Sequence, residues 1–569
     1  MEDTAKKFCS ILFDVFQQKG VKDVVCSPGS RNVPLLLAAA SRNQLKKHLV
    51  VDERSAGFFG LGISLVSKNP VVLICTSGTA LLNYAPAVAE AYYQNIPLIV
   101  VSADRPVQWI DQDDSQTLRQ EGTLGNFVKK SYSIPAIGEE DPEMLWFVNR
   151  IANDAMMTAL SGRKGPVHIN IQLSEPLNKT TSSYKSSTRT INVIEADTIG
   201  NKEIIKDLAK KVSESRVMLV AGFNSPDSSL QKAVNEFKKN KNVVVMAETI
   251  SNLHFLNKDY SVDSVLTAFD SAILDNNAPD LIISLGGALV SRKLKEFLRR
   301  NISKCEHWSI GYSHTTSDPF MSLNLRIETE PARFFRNLNS ALRKFKPNVI
   351  AEKYQKTWDD LRAKASKIKY PFIQNCEWSE LRAFDIIFKN LPSDFNLFLS
   401  NGTPIRYAQI IPYSLPHASY CNRGVSGIDG SISTAIGGGV AYKGKTMIIT
   451  GDLSMAYDVG ALSLQNVSSH FKIIVIDNQG GGIFRFIPST SSLEIREEYL
   501  CQSPLLPLAQ LAEGYGWDYF ECADEMTLEN ALPKFLHNSN KSIMRIICPP
   551  QVNADILKNY MSLKINNLS

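Results

Sequence analysis

The stretch Thr446–Gly481, "TMIITGDLSMAYDVGALSLQNVSSHFKIIVIDNQGG", contains two apolar, β-rich runs, and each run ends in polar residues at a turn. The first run ends at Gly451 and Asp452, and the second ends at Asn478, 26 residues after Asp452. One helical crossover between neighbouring parallel strands takes up a separation of this size. The stretch therefore predicts a parallel α/β sheet that presents Asp452 and Asn478 to one crevice, at the carboxyl ends of its strands.

A second stretch, Val71–Pro106, has the same order of strand, turn, helix and strand: "VVLICTSGTALLNYAPAVAEAYYQNIPLIVVSADRP". This faint internal repeat predicts two duplicated domains. The first tip, Thr76–Thr79, is uncharged, whereas the corresponding tip, Gly451–Ser454, carries an acid. We expect the two copies to divide one task between them.

The whole chain of 569 residues exceeds the length at which a single core stops growing, about 250–300 residues. Strand-sized and helix-sized segments alternate along it, which predicts three doubly wound, parallel-sheet α/β domains. We place these domains at residues 1–180, 190–345 and 375–569. The Ser/Thr/Lys-rich segment 178–190, "NKTTSSYKSSTRT", is typical of a linker.

Composition excludes several classes of protein. The chain is 44% hydrophobic and 21% charged, with a net charge of +5, so it lacks the strongly basic character that nucleic-acid binding requires. The nine cysteines are odd in number and show no C-x-x-C pair, which favours a reduced, cytoplasmic protein. Apolar runs are strand-sized and the first 20 residues lack a signal-like core, so we expect neither membrane insertion nor export.

Asp452 and Asn478 together are the residue types that a magnesium ion would select. A carboxylate, an amide oxygen and a backbone carbonyl suit Mg²⁺, which takes phosphate oxygens for its remaining ligands. The glycine run 480–482 allows close approach of a diphosphate and frees a carbonyl to turn inward. The alternative is that Asp452 caps a helix, as aspartate does routinely, and that the glycines form an unrelated turn.

Gly451-Asp452 followed by Asn478 resembles the metal–diphosphate motif of thiamine-diphosphate enzymes. The resemblance implies a pyrimidine-binding first domain, a central domain and a diphosphate-binding third domain. It also implies thiamine diphosphate as cofactor and Mg²⁺, with Mn²⁺ as an alternative ion, bound by Asp452, Asn478 and Gly480. The first domain of this family contributes a catalytic glutamate, and Glu53 in "KHLVVDERSAGFFGLG" fits that place.

The family implies that Glu53 hydrogen-bonds the pyrimidine ring of the cofactor and promotes the imino tautomer that removes the thiazolium proton. A carboxylate in an apolar pocket, with a raised pKa, suits such proton transfer. The alternative for Glu53 is a surface glutamate that starts a helix.

Four arginines lie near predicted strand ends or adjacent Gly/Pro turns: Arg31, Arg105, Arg406 and Arg423. Arginine binds carboxylates bidentately, so the group indicates a substrate with several carboxylates. Any one of them alone is more typically a surface or ion-pair residue.

Eight segments together closely resemble the 2-succinyl-5-enolpyruvyl-6-hydroxy-3-cyclohexene-1-carboxylate (SEPHCHC) synthases of menaquinone biosynthesis: "SPGSRNVPL", "DERSAGFF", "TSGTA", "SADRP", "SQTLRQ", "NRGVSGIDG", "GDLSMAYD" and "DNQGGGIF". That family decarboxylates 2-oxoglutarate and adds the succinyl carbanion equivalent to isochorismate in a 1,4 manner. The resemblance implies a substrate pocket lined by Ser30, Arg31, Arg105, Gln116, Arg292, Lys293, Arg406, Arg423, Ile483 and Phe484. It implies cofactor contacts from Glu53, Thr76, Gly78, Gly402, Ile428, Gly451, Asp452, Leu453, Ser454, Asn478, Gly480 and Ile483, with Ile428 as the apolar support that holds the cofactor bent.

The sequence departs from the family pattern in three places. Gly402 stands where the family usually has a serine, which removes a hydroxyl group, and Gln479 replaces a second asparagine. Arg292 and Lys293 stand in a different order from the usual Lys/Arg pair, so which of them reaches substrate is open. The alternative for both is a solvated basic helix face.

The helix in Val71–Pro106 resembles one that contacts a second subunit in the family, although from the sequence alone it is equally an ordinary core helix. The resemblance implies a homodimer or a dimer of dimers, with the active site between subunits. Two alternatives remain: another thiamine-dependent 2-oxoacid decarboxylase or carboligase, and a non-catalytic homologue. The arginines and "NRGVSGIDG" argue against the first, and the presence of Glu53, Asp452 and Asn478 argues against the second.

Overall fold

The structure is a computed structural model that describes residues 6–136, 141–177, 188–193, 202–253, 261–313, 316–346, 348–349, 351–412, 417–465 and 467–565. The chain forms two compact units. The first unit comprises residues 1–195, 422–446 and 457–471, and the second comprises residues 196–421, 447–456 and 472–569.

The first sheet lies in the first unit and has six parallel strands in the order β2-β1-β3-β4-β6-β5. Its strands are β1 (Asp23–Cys26), β2 (Lys46–Leu49), β3 (Val71–Cys75), β4 (Leu98–Asp104), β5 (Ser131–Ile134) and β6 (Val167–Gln172). The helices of this region are α1 (Lys7–Gln18), α2 (Val33–Ala40), α3 (Glu53–Ser67), α4 (Thr79–Asn83), α5 (Ala85–Gln94) and α6 (Pro142–Leu160). β1, β3, β4 and β6 are buried along their whole length, as parallel strands covered on both faces are.

The second sheet lies in the second unit and has five parallel strands in the order β11-β10-β9-β7-β8. Its strands are β7 (Val217–Ala221), β8 (Val243–Ala247), β9 (Leu281–Leu285), β10 (Glu306–Ile310) and β11 (Leu323–Ile327). The helices of this region are α7 (Lys202–Glu214), α8 (Ser228–Phe237), α9 (Val262–Ala268), α10 (Ser271–Asn276), α11 (Arg292–Arg300), α12 (Pro331–Leu342) and α13 (Tyr354–Asn375).

The third sheet has six strands in the order β13-β12-β14-β15-β17-β16. They are β12 (Asn396–Leu399), β13 (Ala418–Tyr420), β14 (Thr446–Gly451), β15 (Phe471–Asp477), β16 (Asp518–Cys522) and β17 (Ser542–Ile547). The helices of this region are α14 (Glu380–Asn390), α15 (Thr403–Ile410), α16 (Ser431–Tyr442), α17 (Asp452–Tyr457), α18 (Gly482–Phe486), α19 (Pro488–Ser491), α20 (Leu508–Gly514), α21 (Glu525–His537) and α22 (Pro550–Ser562).

The first and third sheets have the same topology. Numbered within its own sheet, each has the strand order 2-1-3-4-6-5. The duplication expected from the faint sequence repeat is therefore present in the strand order. The predicted class, three α/β domains built on parallel sheets, is confirmed, whereas the domain limits 1–180, 190–345 and 375–569 stay predictions.

Close glycine contacts join α3 and α16 within the first unit. A Cβ added at Gly62 would lie 1.9 Å from the carbonyl oxygen of Thr434, and one added at Gly437 would lie 2.0 Å from the carbonyl oxygen of Phe59. No larger residue fits at either place without separating the helices. This packing holds the loop before α16 within the same unit as Glu53.

All nine cysteines are described, and none of them is joined in a disulfide. Among the described residues, no helix is both long enough and apolar enough to span a bilayer. Most of the predicted linker, 178–190, lies outside the described residues.

Candidate active site

Three adjacent strands of the third sheet end at the residues that the sequence singles out. β12, β14 and β15 are neighbours, and their carboxyl ends lead to Gly402, Asp452 and Asn478 respectively. Asp452 is the first residue of α17, and it is 5% exposed. The sheet thus brings the predicted metal ligands to one edge, because consecutive parallel strands end on the same side.

Backbone amides hold the carboxylate of Asp452 in place. Its Oδ1 accepts from the amide of Leu453 at 2.8 Å, and its Oδ2 accepts from the amide of Gly480 at 2.7 Å. Gly480 and Gly481 have φ angles of +76° and +57°, and a Cβ at Gly480 would lie 1.9 Å from the carbonyl oxygen of Gln502. The glycine run is therefore required by both its conformation and its close neighbours.

Asn478 is buried beside a carboxylate that the sequence analysis did not single out. Its Nδ2 donates to Glu380 Oε1 at 2.6 Å, while its Oδ1 is buried and has no hydrogen-bond partner among the described residues. Buried polar atoms normally have partners, so an orphaned amide oxygen at a strand end indicates a group that binds there.

The site concentrates negative charge. Burial raises the pKa of the Asp452 carboxyl to about 6, and the neighbouring Asp477 adds to the rise. Burial raises the pKa of the Glu380 carboxyl to about 7, and the charge of Asp452 adds to it. Arg545 Nε donates to Asp477 Oδ2 at 2.8 Å, but in the described part of the chain no salt bridge joins Asp452 or Glu380 to a basic side chain.

A divalent cation fits this donor set. Asp452 offers a carboxylate and Asn478 offers an oxygen that otherwise lacks a partner, and a cation would offset the buried negative charge. The carbonyl of Gly480, the predicted third ligand, accepts from Nη1 of buried Arg485 at 3.0 Å, so one of its two lone pairs is in use. Arg485 also pairs with Glu497 through Nη2 at 2.8 Å.

The remaining predicted cofactor and substrate residues of this sheet flank the metal ligands. Ser454 is buried, and Gly451, Leu453, Ile483 and Phe484 are half-buried. Ile483 and Phe484 lie in α18, directly after the glycine run. The role of these two residues as walls of the pocket stays a prediction.

Gly402 begins α15 as its N-cap with a φ of +99°, and a Cβ there would meet only Pro404 Cδ, at 3.8 Å. Space for a side chain exists, but the backbone conformation is one that only glycine adopts easily. Arg406 Nη1 donates to the carbonyl of Gly402, which directs the guanidinium back towards the turn.

Arg292 and Lys293 begin α11, and both pair with Glu296 of the same helix. The Arg292 side chain is 76% exposed, in line with the solvated helix face that the sequence left as an alternative. Lys293 differs, because its charge and that of Arg406 both act on Asp263, a buried acid whose pKa burial raises to about 6. Lys293 and Arg406 therefore both lie near Asp263 in the second unit.

Glu53 is half-buried in the first turn of α3, whose N-cap is Asp52. Burial raises the pKa of the Cys75 thiol, and the charge of Glu53 adds to the rise. Cys75 is the last residue of β3 and directly precedes Thr76. Glu53 therefore lies close to the carboxyl end of β3, where the predicted cofactor residues Thr76 and Gly78 are located.

The turn after β3 is tightly built. A Cβ at Gly29 would lie 2.3 Å from Thr76 Cβ, so the "SPGSR" segment rests directly on this turn. The amide of Gly78 donates to Oε1 of buried Gln120 at 2.7 Å. Ser30 and Gln116 are exposed.

Arg31 and Arg105 are already paired within the first unit. Buried Arg31 donates to the carbonyl of Leu173 at 3.0 Å and lies 3.2 Å from Glu175, whose side chain is 68% exposed. Arg105 Nη1 donates to Asp114 Oδ2 at 2.8 Å.

The segment that contains Arg423 and Ile428 is held by one buried carboxylate. Glu90 of α5 accepts from the amides of Gly424 at 2.6 Å and Val425 at 2.7 Å. Arg423 and Ile428 are both half-buried within the first unit.

Comparison with known proteins supports the family that the sequence motifs indicated, over nearly the whole length of the chain. A family model described as "Thiamine pyrophosphate enzyme, N-terminal TPP binding domain" matches residues 6–123. SEPHCHC synthase of Porphyromonas gingivalis is 40% identical over 564 residues, which cover 98% of this chain and 97% of that protein. The chain belongs to the SEPHCHC synthase family.

Two further SEPHCHC synthases extend the comparison. That of Flavobacterium johnsoniae is 36% identical and covers 96% of this chain and 97% of its own length. That of Bacteroides thetaiotaomicron is 33% identical and covers 98% of both chains. Similarity to SEPHCHC synthases therefore includes the second sheet, where the motifs are sparse.

Sequence reasoning missed four residues that hydrogen-bond predicted site residues or the segments that carry them: Glu90 and Gln120 in the first unit, and Glu380 and Arg485 in the second. Glu380 follows Ser379, the N-cap of α14, and an acid in this place is usually exposed at a helix start. Arg485 is one arginine in the last turn of a short helix. Only tertiary structure shows that these side chains are turned inward.

Proposed function

We propose that this chain is a SEPHCHC synthase, a thiamine-diphosphate-dependent transferase of menaquinone biosynthesis. Its reaction decarboxylates 2-oxoglutarate and adds the succinyl carbanion equivalent to isochorismate in a 1,4 manner. Similarity to SEPHCHC synthases over nearly the full length carries the proposal. The placement of Asp452 and Asn478 at the ends of adjacent strands, with Asp452 hydrogen-bonded to Gly480, supports it.

The chain's own residues have separable tasks in this proposal. Asp452 and Asn478 hold Mg²⁺, or Mn²⁺ in its place, with the carbonyl of Gly480 as third ligand, and the glycine run lets the cofactor diphosphate approach the backbone. Thiamine diphosphate, when bound, supplies the nucleophilic carbon that adds to the 2-oxoacid and stabilises the negative charge left by CO₂. Glu53 holds a proton at the pyrimidine ring.

The arginines bind the carboxylates of the two substrates. The partner of Arg31, Glu175, is largely exposed, so a substrate carboxylate can compete with it for the guanidinium group. A substrate carboxylate can replace Asp114 at Arg105 in the same way. Arg406 and Lys293 supply positive charge in the second unit, where Asp263 balances them.

One assay tests donor, acceptor and cofactor together. Purified protein with thiamine diphosphate and Mg²⁺ is given 2-oxoglutarate and isochorismate, and CO₂ release and isochorismate loss are followed. We expect CO₂ release and isochorismate loss only when 2-oxoglutarate, isochorismate and thiamine diphosphate are all present. Preferential turnover of pyruvate would indicate another 2-oxoacid carboligase, and no turnover of either acid would indicate a non-catalytic homologue.

We also propose a cytoplasmic homodimer, or dimer of dimers, in which Glu53 of one chain and Asp452 of the other complete each site. Two inactive variants, Glu53→Gln and Asp452→Asn, are unfolded together, refolded and assayed as a mixture. If sites are shared between chains, random pairing in a two-fold dimer restores about a quarter of the wild-type activity. If each site uses one chain only, the mixture stays inactive.

A further inference from the structure

Glu380 is a buried acid at a place where acids are normally exposed. It is the first residue of α14 and is 1% exposed, and its carboxylate lies in the interior of the second unit. A buried carboxylate requires hydrogen-bond donors. Glu380 finds them on two other elements of the fold, the strand end after β15 and the helix α22.

The donors are the amides of two buried asparagines. Glu380 Oε1 accepts from Asn478 Nδ2 at 2.6 Å and from Asn553 Nδ2 at 3.3 Å. The backbone amide of Glu380 in turn donates to Asn553 Oδ1 at 2.8 Å. Asn553 therefore forms hydrogen bonds with both the backbone amide and the side-chain carboxylate of Glu380.

This arrangement determines which way the Asn478 amide faces. A side-chain amide has one donor end and one acceptor end, and the donor end of Asn478 is used by Glu380. A flipped amide would press Oδ1 against the carboxylate oxygen of Glu380, which is repulsive. Asn478 Oδ1 is therefore directed away from Glu380, and it is the end with no partner among the described residues.

We propose that Glu380 is a positioning residue for the metal site, which orients Asn478 so that its Oδ1 faces the cation, and that Asn553 fixes Glu380. This inference rests on the proposed role of Asn478 as a metal ligand. Residues that orient metal ligands in this way typically alter metal affinity by about 10–100-fold when they are removed.

A competing arrangement has Glu380 itself as a ligand, because its Oε2 is also buried and makes no close hydrogen bond among the described residues, although the Thr403 side chain lies nearby. The negative charge of Glu380 distinguishes the positioning role from direct ligation. Glu380→Gln keeps an oxygen that can accept from Asn478 Nδ2 but removes the negative charge. Positioning requires the acceptor, whereas direct ligation of a hard cation requires the carboxylate.

The test measures Mn²⁺ binding by electron paramagnetic resonance in the presence of thiamine diphosphate and without substrate. We expect Glu380→Ala to weaken Mn²⁺ binding about 10–100-fold and Glu380→Gln by about three-fold or less. Glu143→Ala removes an exposed acid from the first turn of α6 and serves as the matched control, with no expected change.

The outcomes are distinct. Unchanged binding in Glu380→Ala, or an equal loss in Glu380→Gln and Glu380→Ala, overturns the positioning role. If Glu380→Ala does not fold, Asn553→Ala carries the same test, because it removes both hydrogen bonds that fix Glu380; unchanged binding there also overturns the role. Asn478→Ala and Asp452→Asn are measured alongside, and if neither weakens binding, the metal site itself is wrong.

Discussion

The backbone amide of Gly480 donates to Asp452 Oδ2 at 2.7 Å, so the strand end after β15 is tied to the strand end after β14. A turn made of Gly480–Gly482 and an acid that starts a short helix thus form one structure. Asp452 is buried in this structure, and burial raises the pKa of its carboxyl to about 6. A bound cation would favour the charged form of this carboxylate and lower its pKa.

Asp452→Asn tests this consequence. Asparagine can still accept from Gly480 but lacks the charge that a hard cation prefers. We expect Mn²⁺ affinity in the presence of thiamine diphosphate to fall about ten-fold or more, which corresponds to about 1.4 kcal/mol. Asp555→Asn, an exposed residue of α22, is the control, and equal Mn²⁺ affinity in the two variants would contradict the prediction.

Glu53→Gln separates cofactor binding from proton transfer. The side chain keeps its size and an acceptor oxygen, so we expect thiamine diphosphate to be retained. Turnover should fall about 100-fold or more, the usual contribution of a positioned acid–base group. Asp52→Asn removes the adjacent charge but keeps an effective N-cap for α3, so near-normal turnover is expected there. Unchanged turnover in Glu53→Gln would refute its role.

The sequence alone predicted that Asp452 and Asn478 lie at strand ends, because neighbouring residues along the chain determine these positions. Spacing and polarity alone place Asp452 and Asn478 after adjacent strands, and the duplicated strand order follows from the repeat. Glu380 could not be found this way, since Ser379-Glu380 is an ordinary helix start. Its burial follows from contacts with Asn478 and Asn553, far away in the sequence.

The arginines show a similar limit. Their positions near turns predicted anion binding, but the acids that pair with Arg31 and Arg105 in the structure were not foreseen. A partner such as Glu175 is 144 residues away from Arg31 and follows a different strand of the same sheet. Pairing of this kind is decided by sheet order, which becomes known only after folding.

Gly402→Ser tests the departure from the family serine. The φ of +99° strains any side chain, and we expect a loss of about 1–2 kcal/mol in the free energy of unfolding. Gly402→Ala is the matched variant without a hydroxyl. Equal losses would assign the cost to the backbone, and a smaller loss for serine would show that its hydroxyl finds a partner. No loss in either, measured by urea unfolding, would contradict the strain.

Gly62→Ala tests the contact between α3 and α16. The new methyl group would meet the carbonyl of Thr434 at 1.9 Å, so the helices must separate, at a cost of about 3 kcal/mol or more. Gly514→Ala is the control, because a Cβ there meets nothing within 4 Å and alanine favours helix. A lowered unfolding midpoint is expected for Gly62→Ala only, and equal midpoints would show that the helices can part freely.

Lys369 predicts a specific dependence of stability on pH. It is buried in α13, where its Nζ donates to the carbonyl of Tyr560 and lies 4.5 Å from the centre of that ring. Burial lowers the pKa of Lys369 from 10.5 to about 7. Between these two values the unfolded chain binds more protons than the folded one, so the free energy of unfolding rises with pH.

Replacing Lys369 by methionine removes this titration. The contribution of one group is at most about 1.4 kcal/mol per pH unit. We therefore expect urea unfolding of the wild type to show an increase in stability from pH 7 to pH 9 that is reduced in Lys369→Met. Lys364→Met changes an exposed lysine of the same helix and should keep the wild-type slope. If Lys369→Met and the wild type have the same slope, Lys369 is charged in the folded protein and its amine is better solvated than the structure indicates.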